Sequence, residues 1–282
     1  MPSPTAALTL SALYIYPIKS AGRISLDSSQ IGPRGLQHDR RWMVIDEAAR
    51  PLTQRECPAM RLIEVVLTED GLSVSAPNMP PLAVPWQPLG LRRQADMWGQ
   101  PLACVSVSGE ASAWFTAYLG QPCDLIYMPD GEERWQPADR PYRSQLGFAD
   151  GNPFHLISEA SVADLNLNLS RPVDPQNFRP NLVIGGGSAY QEDFWRLIHV
   201  GNLTFEVVES CARCSVLNVT AQGTRSAEPL RSMARLRRDG QAILFGQHLV
   251  QHAPYSERTG HLHVGDALEV LQAGETRNPV YV

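Results

Sequence analysis

Hydrophobic positions fall into many short runs separated by glycine, proline and polar turns, and most of these runs read as strands. Residues 8–16, 41–46, 61–68 and 72–76 are rich in β-branched or aromatic side chains. Further strands are predicted over 103–107, 124–128, 181–184, 203–209, 215–219, 242–250 and 261–271. Trp42 and Val44 alternate with Met43 and Ile45, so both faces of that run are apolar, as in a strand inside a barrel. Short strands at regular spacing point to barrels or sandwiches rather than alternating βαβ units.

Three helices interrupt the strands. Ser108 is placed to cap a helix over 110–119, with Trp114, Phe115 and Tyr118 as its apolar patch and Gly120 to end it. Ser158 is placed to cap a second over 159–169, where Val162, Leu165 and Leu169 recur at helical spacing. Pro229 suits an early position in a third, reaching to about 238 with Leu230 and Met233 inward. Arg231, Arg235, Arg237 and Arg238 would then cover its outer surface. The stretch 129–143 (PDGEERWQPADRPYR) has no periodicity and reads as a linker or exposed loop. It divides the chain into regions 8–128 and 129–273. The fold class expected is α+β and β-rich: an N-terminal barrel-like domain, then a second β-barrel domain with a few helices.

Composition narrows the function classes. With 43% hydrophobic and 19% charged residues, the 282-residue chain has the make-up of a globular protein rather than a disordered one. A net charge of −5 argues against a general nucleic-acid binder but leaves room for a local basic pocket. No run of 18 apolar residues occurs, so no membrane-spanning helix is expected. The start, MPSPTAALTL, carries no cation before Lys19 and does not read as a signal peptide. Five cysteines form an odd, sparse set, unlike a disulfide framework. A reducing, cytoplasmic setting is the expectation.

The sharpest local feature is Cys211-Ala212-Arg213-Cys214. As a zinc half-site it needs two more ligands, and only His261 and His263 are offered. As a redox pair it would want a helix N-terminus after it, yet β character returns at Ser215. It could instead supply one thiolate to a soft metal centre, with Arg213 stabilising the anion. The plain alternative is two buried structural cysteines. In Asn177-Phe178-Arg179-Pro180-Asn181, Pro180 favours an extended Arg179. A guanidinium at the start of a buried strand needs a partner: a phosphate or carboxylate ligand, or an internal one such as Asp174. Lys19, after an apolar strand, and Arg40, before another, could stand at one barrel rim and suit an anionic cofactor. The run Gly185-Gly186-Gly187 reads as a turn more readily than an anion nest, and His155 as a packed side chain.

Six segments in order resemble the MOSC-domain proteins that carry an N-terminal MOSC β-barrel domain, the group of the mitochondrial amidoxime-reducing component and its bacterial relatives. They are Leu13-Tyr14-Ile15-Tyr16-Pro17-Ile18-Lys19-Ser20, Asp39-Arg40-Arg41-Trp42, Leu156-Ile157-Ser158-Glu159-Ala160-Ser161, Asn177-Phe178-Arg179-Pro180-Asn181, Cys211-Ala212-Arg213-Cys214 and Phe245-Gly246-Gln247. The resemblance implies a molybdenum cofactor, a pterin dithiolene with a terminal phosphate, whose metal takes Cys214 as its protein ligand. It implies that Lys19, Arg40 and Arg179 hold the pterin and phosphate, with Asn181 lining the same pocket. Asp150 falls near the metal, as a proton relay or cofactor contact. Asn152 stands where the family pattern has serine, which leaves its cofactor-binding role open.

The reaction so implied is two-electron reduction of N-hydroxylated small molecules such as amidoximes, N-hydroxylamines and N-hydroxylated bases: the N–O bond breaks and oxygen leaves as water. Electrons are expected from a separate ferredoxin, flavoprotein or similar protein, because no cysteine follows Cys214 to build a ferredoxin domain. The arginines of 231–238 offer such a donor a docking face. The alternative is a carrier that delivers cofactor or sulfur without turning over substrate. Neither nucleic acid nor membrane is an expected partner.

Overall fold

The strand Thr9–Ile15 lies beside Leu182–Gly185, more than 160 residues downstream, and that pairing organises the whole molecule. The computed structural model describes residues 7–281; residues 1–6, part of the start read as lacking leader character, and Val282 lie outside the described residues. The largest sheet runs Ile24–Leu26, Thr9–Ile15, Leu182–Gly185, Phe154–Ser158, Ala242–Gln251, Leu203–Ala212, Trp195–Val200, Leu268–Ala273. A bridge between Thr9 and Ala267 brings its two ends together, closing it around Leu10, Leu13, Phe154, Ile198, Phe205 and Leu249.

A second body rises from the four-stranded sheet Trp42–Asp46, Cys123–Tyr127, Gln100–Ser106 and Arg92–Met97. The three-stranded sheet Glu64–Leu67, Gly71–Ser75 and Leu82–Pro85 and the helix Gly109–Leu119 complete it. The doubly apolar run at Trp42 is explained here. Trp42 and Val44 enter a core with Val74, Val84 and Phe115, whereas Met43 and Ile45 enter another with Met97 and Phe148. Strand pairing crosses between regions 8–128 and 129–273 twice, at Thr9–Ile15 and where Gly260–His263 pairs with Ser28–Gly32. The chain is a β-rich α+β protein.

Several local expectations needed correction. Phe154–Ser158 and Leu182–Gly185 are parallel and flank the helix Glu159–Leu167, so one βαβ crossover exists where none was expected. The predicted strand over 215–219 is a single 3-10 turn, Ser215–Asn218. The segment 61–68 starts as a 3-10 turn, Pro58–Leu62, before the strand Glu64–Leu67. Residues 261–271 form two strands broken at Gly265, whose φ is +97°. Ser108 caps its helix by accepting from Ala111 N at 3.0 Å, but the Ser158 hydroxyl makes no cap bond.

The third helix is only Leu230–Leu236, and Arg237 is no surface residue: it is buried, and its Nη2 donates to both carboxylate oxygens of Asp193 at 2.7 and 2.9 Å. Nor is 129–143 a free linker. Arg134 and Gln136 are buried, and Arg134–Trp135 pairs with Gln145–Leu146. Among the described residues, no helix is long and apolar enough to cross a membrane.

Candidate functional site

Between the two bodies lies a cavity of about 420 Å³, and all seven residues singled out for a cofactor line it. Its wall carries six arginines and one lysine against two carboxylates, Asp150 and Glu209. The net −5 chain therefore gathers positive charge at one place.

Lys19 is set by the Ile18–Trp42 bridge, its amide donating to Trp42 O at 2.8 Å. Its ammonium is buried and donates to Phe148 O at 2.9 Å and Asp150 Oδ1 at 2.5 Å. Burial pulls its pKa down to about 8 although Asp150 opposes the shift. Arg179 and Arg40 share one aromatic anchor: their guanidinium carbons lie 4.1 and 4.3 Å from the Tyr16 ring centroid. Arg40 Nη1 meets Asp39 Oδ2 at 2.5 Å, and Arg179 Nη1 donates to Ala21 O at 2.7 Å. Burial pushes the Arg179 guanidinium down to about 10, with Tyr16 opposing and Arg40 adding to the shift. Arg179 is not extended: at φ +55°, ψ +48° it ends the turn Pro175–Phe178, whose geometry overrides the bias from Pro180. Asp174 is not its partner either, since it faces Arg23 at 3.4 Å.

Asp150 opens onto the cavity, its side chain 54% exposed. Oδ1 accepts from Lys19 and from Trp98 Nε1 at 3.0 Å, and Oδ2 lies 3.7 Å from Arg55 Nη2. Burial would raise its pKa, but Lys19, Arg55 and Trp98 outweigh that and hold the carboxyl well below the usual range. Asp150 is therefore ionised at neutral pH. Asn181 spends its amide on backbone, accepting from His155 N at 3.2 Å and donating to Tyr14 O at 3.1 Å. Asn152 donates to Glu209 Oε1 at 2.7 Å and accepts from Gln136 Nε2 at 3.1 Å, so both amides fix walls of the cavity.

Cys214 is exposed and caps the turn Ser215–Asn218, with Arg55 Nη2 3.5 Å from its sulfur. Cys211 is buried, accepting from Arg213 Nη1 at 2.9 Å. Burial would raise its thiol, but Arg213, His248 and His155 outweigh it and hold it well below the ordinary value. His248 Nδ1 meets Glu209 Oε1 at 2.9 Å; burial opposes the charge, yet Cys211 and Glu209 raise the imidazole to about 10. That ring fits only because residue 151 is glycine, where a Cβ would stand 2.5 Å from His248 Cε1.

Arg55, Arg134 and the His248–Glu209 pair were missed. Arg55 sits in a polar loop with no motif, Arg134 in the supposed linker, and the pair inside strands whose apolar pattern hid it. The zinc reading fails on geometry: His261 and His263 stand on the strand Gly260–His263 and do not line the cavity. Among the described residues no group of three or more His, Cys, Asp or Glu could hold a metal.

Comparison with known proteins agrees with this architecture. Residues 7–122 match the MOSC N-terminal beta barrel domain and residues 143–269 the MOSC domain. The chain is 31% identical to mitochondrial amidoxime-reducing component 1 of Mus musculus, covering 93% of this chain and 82% of that protein. It is 30% identical to mitochondrial amidoxime reducing component 2 of Bos taurus, over 92% and 82% of the two chains. To the molybdenum cofactor sulfurase of Oryza sativa subsp. japonica it is 32% identical over 84% of this chain, but it spans only 32% of that longer protein. The chain thus belongs to the MOSC family, in the branch where an N-terminal MOSC β-barrel domain precedes the MOSC domain.

Proposed function

We propose that this cavity holds a molybdenum cofactor and that the protein reduces N-hydroxylated small molecules, with electrons drawn from a separate protein. One observation carries the reading: an exposed thiol, Cys214, opens into a cavity whose cations greatly outnumber its carboxylates. A pterin dithiolene with a terminal phosphate fits that donor set. Its negative charge would offset the desolvation that lowers the pKa of Lys19 and Arg179. Among the described residues, the Nε of Arg213 is buried without a partner and leaves a further donor beside the thiols. The amidoxime-reducing relatives support the same class of reaction.

When bound, the cofactor supplies two-electron chemistry at an N–O bond. The chain's own residues bind and orient. Lys19, Arg40 and Arg179 hold the anionic groups, and Cys214 gives one thiolate to the metal, with Arg55 stabilising its charge. Asp150, acting as a fixed carboxylate, locks Lys19, Arg55 and Trp98 in place. His248, paired with Glu209, is a wall imidazole held in its protonated form at neutral pH.

Metal and pterin content of purified wild type and Cys214→Ala tests the assignment, together with benzamidoxime reduction by an artificial donor. The expected outcome is loss of molybdenum and activity in the variant. Full molybdenum and full activity in Cys214→Ala would remove Cys214 as ligand. A molybdenum-loaded wild type without turnover would favour a carrier.

A further inference from the structure

Trp98 and Gly99 form the two-residue turn that joins Arg92–Met97 to Gln100–Ser106, with Met97 paired to Gln100. Both turn residues have positive φ, +58° and +84°. Such turns normally take asparagine or glycine at the first position, and a bulky side chain there is sterically costly. Tertiary contacts hold the indole in spite of that cost. Nε1 donates to Asp150 Oδ1 at 3.0 Å. Lys19 Nζ and Arg55 Cζ lie over its ring, 5.7 and 5.4 Å from the centroid. These contacts fix the ring on the cavity wall yet leave the residue 51% exposed. The same Arg55 touches Cys214 Sγ at 3.5 Å, so one side chain separates the open indole from the thiol.

A large immobilised aromatic face on the wall of the cavity that also holds an exposed thiol is a stacking surface, and it loses little freedom when a flat group lies on it. We infer that Trp98 is the specificity-determining platform for the substrate. It favours planar, conjugated N-hydroxylated compounds, whose aryl or heteroaryl ring lies on the indole, over aliphatic ones. This rests on the reductase reading above. A Trp98 that merely shields the cavity would treat both classes alike, and one that stacks on the pterin would control cofactor content instead.

The experiment compares wild type, Trp98→Ala and Trp98→Phe, each cofactor-loaded, with benzamidoxime and acetamidoxime under an artificial donor. Equilibrium binding of both compounds and pterin content are measured alongside. For Trp98→Ala, KM for benzamidoxime should rise about tenfold, the scale of one lost stacking pair. KM for acetamidoxime and both kcat values should stay within about twofold. Trp98→Phe should recover most of the aryl preference. Equal shifts for both compounds, no shift, or loss of pterin from Trp98→Ala would overturn the inference. If wild type turns over neither compound, the reductase reading fails by itself. The platform is then judged from binding alone: wild type must hold benzamidoxime about tenfold more tightly than acetamidoxime and Trp98→Ala must not, and equal affinities overturn it.

Discussion

Lys19 divides its ammonium between the Phe148 carbonyl and Asp150, and burial still leaves its pKa near 8 rather than 10.5. Between those values the unfolded chain binds the proton that the folded chain has lost, so the Lys19 contribution to stability rises with pH across that window. Anion binding follows the opposite course, because a bound anion requires the charged lysine. Affinity for sulfate, which does not titrate here, should hold constant below pH 8 and then fall by up to about tenfold per pH unit. Calorimetric titration from pH 7 to 9, below the range of Arg179 and His248, checks this, and Lys19→Arg should flatten the profile there. At this scale the sequence was most legible where a side chain's chemistry demanded a charged or soft partner: Lys19, Arg40, Arg179 and Cys214 share one cavity, whereas Asp150, Asn152 and Asn181, which also line it, were named by the family resemblance alone. Arg55 escaped notice because nothing in Thr53-Gln54-Arg55-Glu56 distinguishes a cavity cation from a surface one. Only the fold brings it to Cys214.

At the scale of elements, hydrophobic pattern located about half of the strands and the capped helix Gly109–Leu119, since burial and Ser108 act locally, but it passed over Ile24–Leu26, Arg92–Met97, Phe154–Ser158 and Trp195–Val200 among others. It failed where long-range contacts set the conformation. Ser215–Asn218 looks like β sequence but turns, with the Cys214 carbonyl accepting from Leu217 N at 3.1 Å and Leu217 buried. The long strand Ala242–Gln251 illustrates a further constraint invisible in the pattern. Gly246 has φ +79°, and a Cβ there would lie 2.5 Å from His155 Nε2 and 2.7 Å from Leu156 O. Gly246→Ala should destabilise the fold by about 1–3 kcal/mol through backbone strain alone, with steric displacement of His155 adding to it. Urea denaturation would measure the loss, and a shift of the midpoint at unchanged slope would identify it as a stability effect.

For the molecule as a whole, the β-rich class and the presence of two β-rich bodies were readable from turn spacing and the ordered motifs. Strand exchange between the regions was not, because pairing partners more than a hundred residues apart leave no periodic trace. A fragment of residues 129–282 lacks Thr9–Ile15, so the Leu182–Gly185 edge would stand open and the closed sheet would have a gap. That fragment and residues 1–128 should each show poorly dispersed amide spectra alone and native dispersion when co-expressed. Dispersed spectra from either piece alone would disprove the interdependence. The same pairing constrains biosynthesis. At translation speeds of about 5–20 residues per second, the emerging Thr9–Ile15 segment waits roughly 10–35 s for its partner strand to leave the ribosome. During that interval an apolar strand stays unmatched on the nascent chain, so holdase chaperones that bind extended apolar segments gain a defined time in which to act.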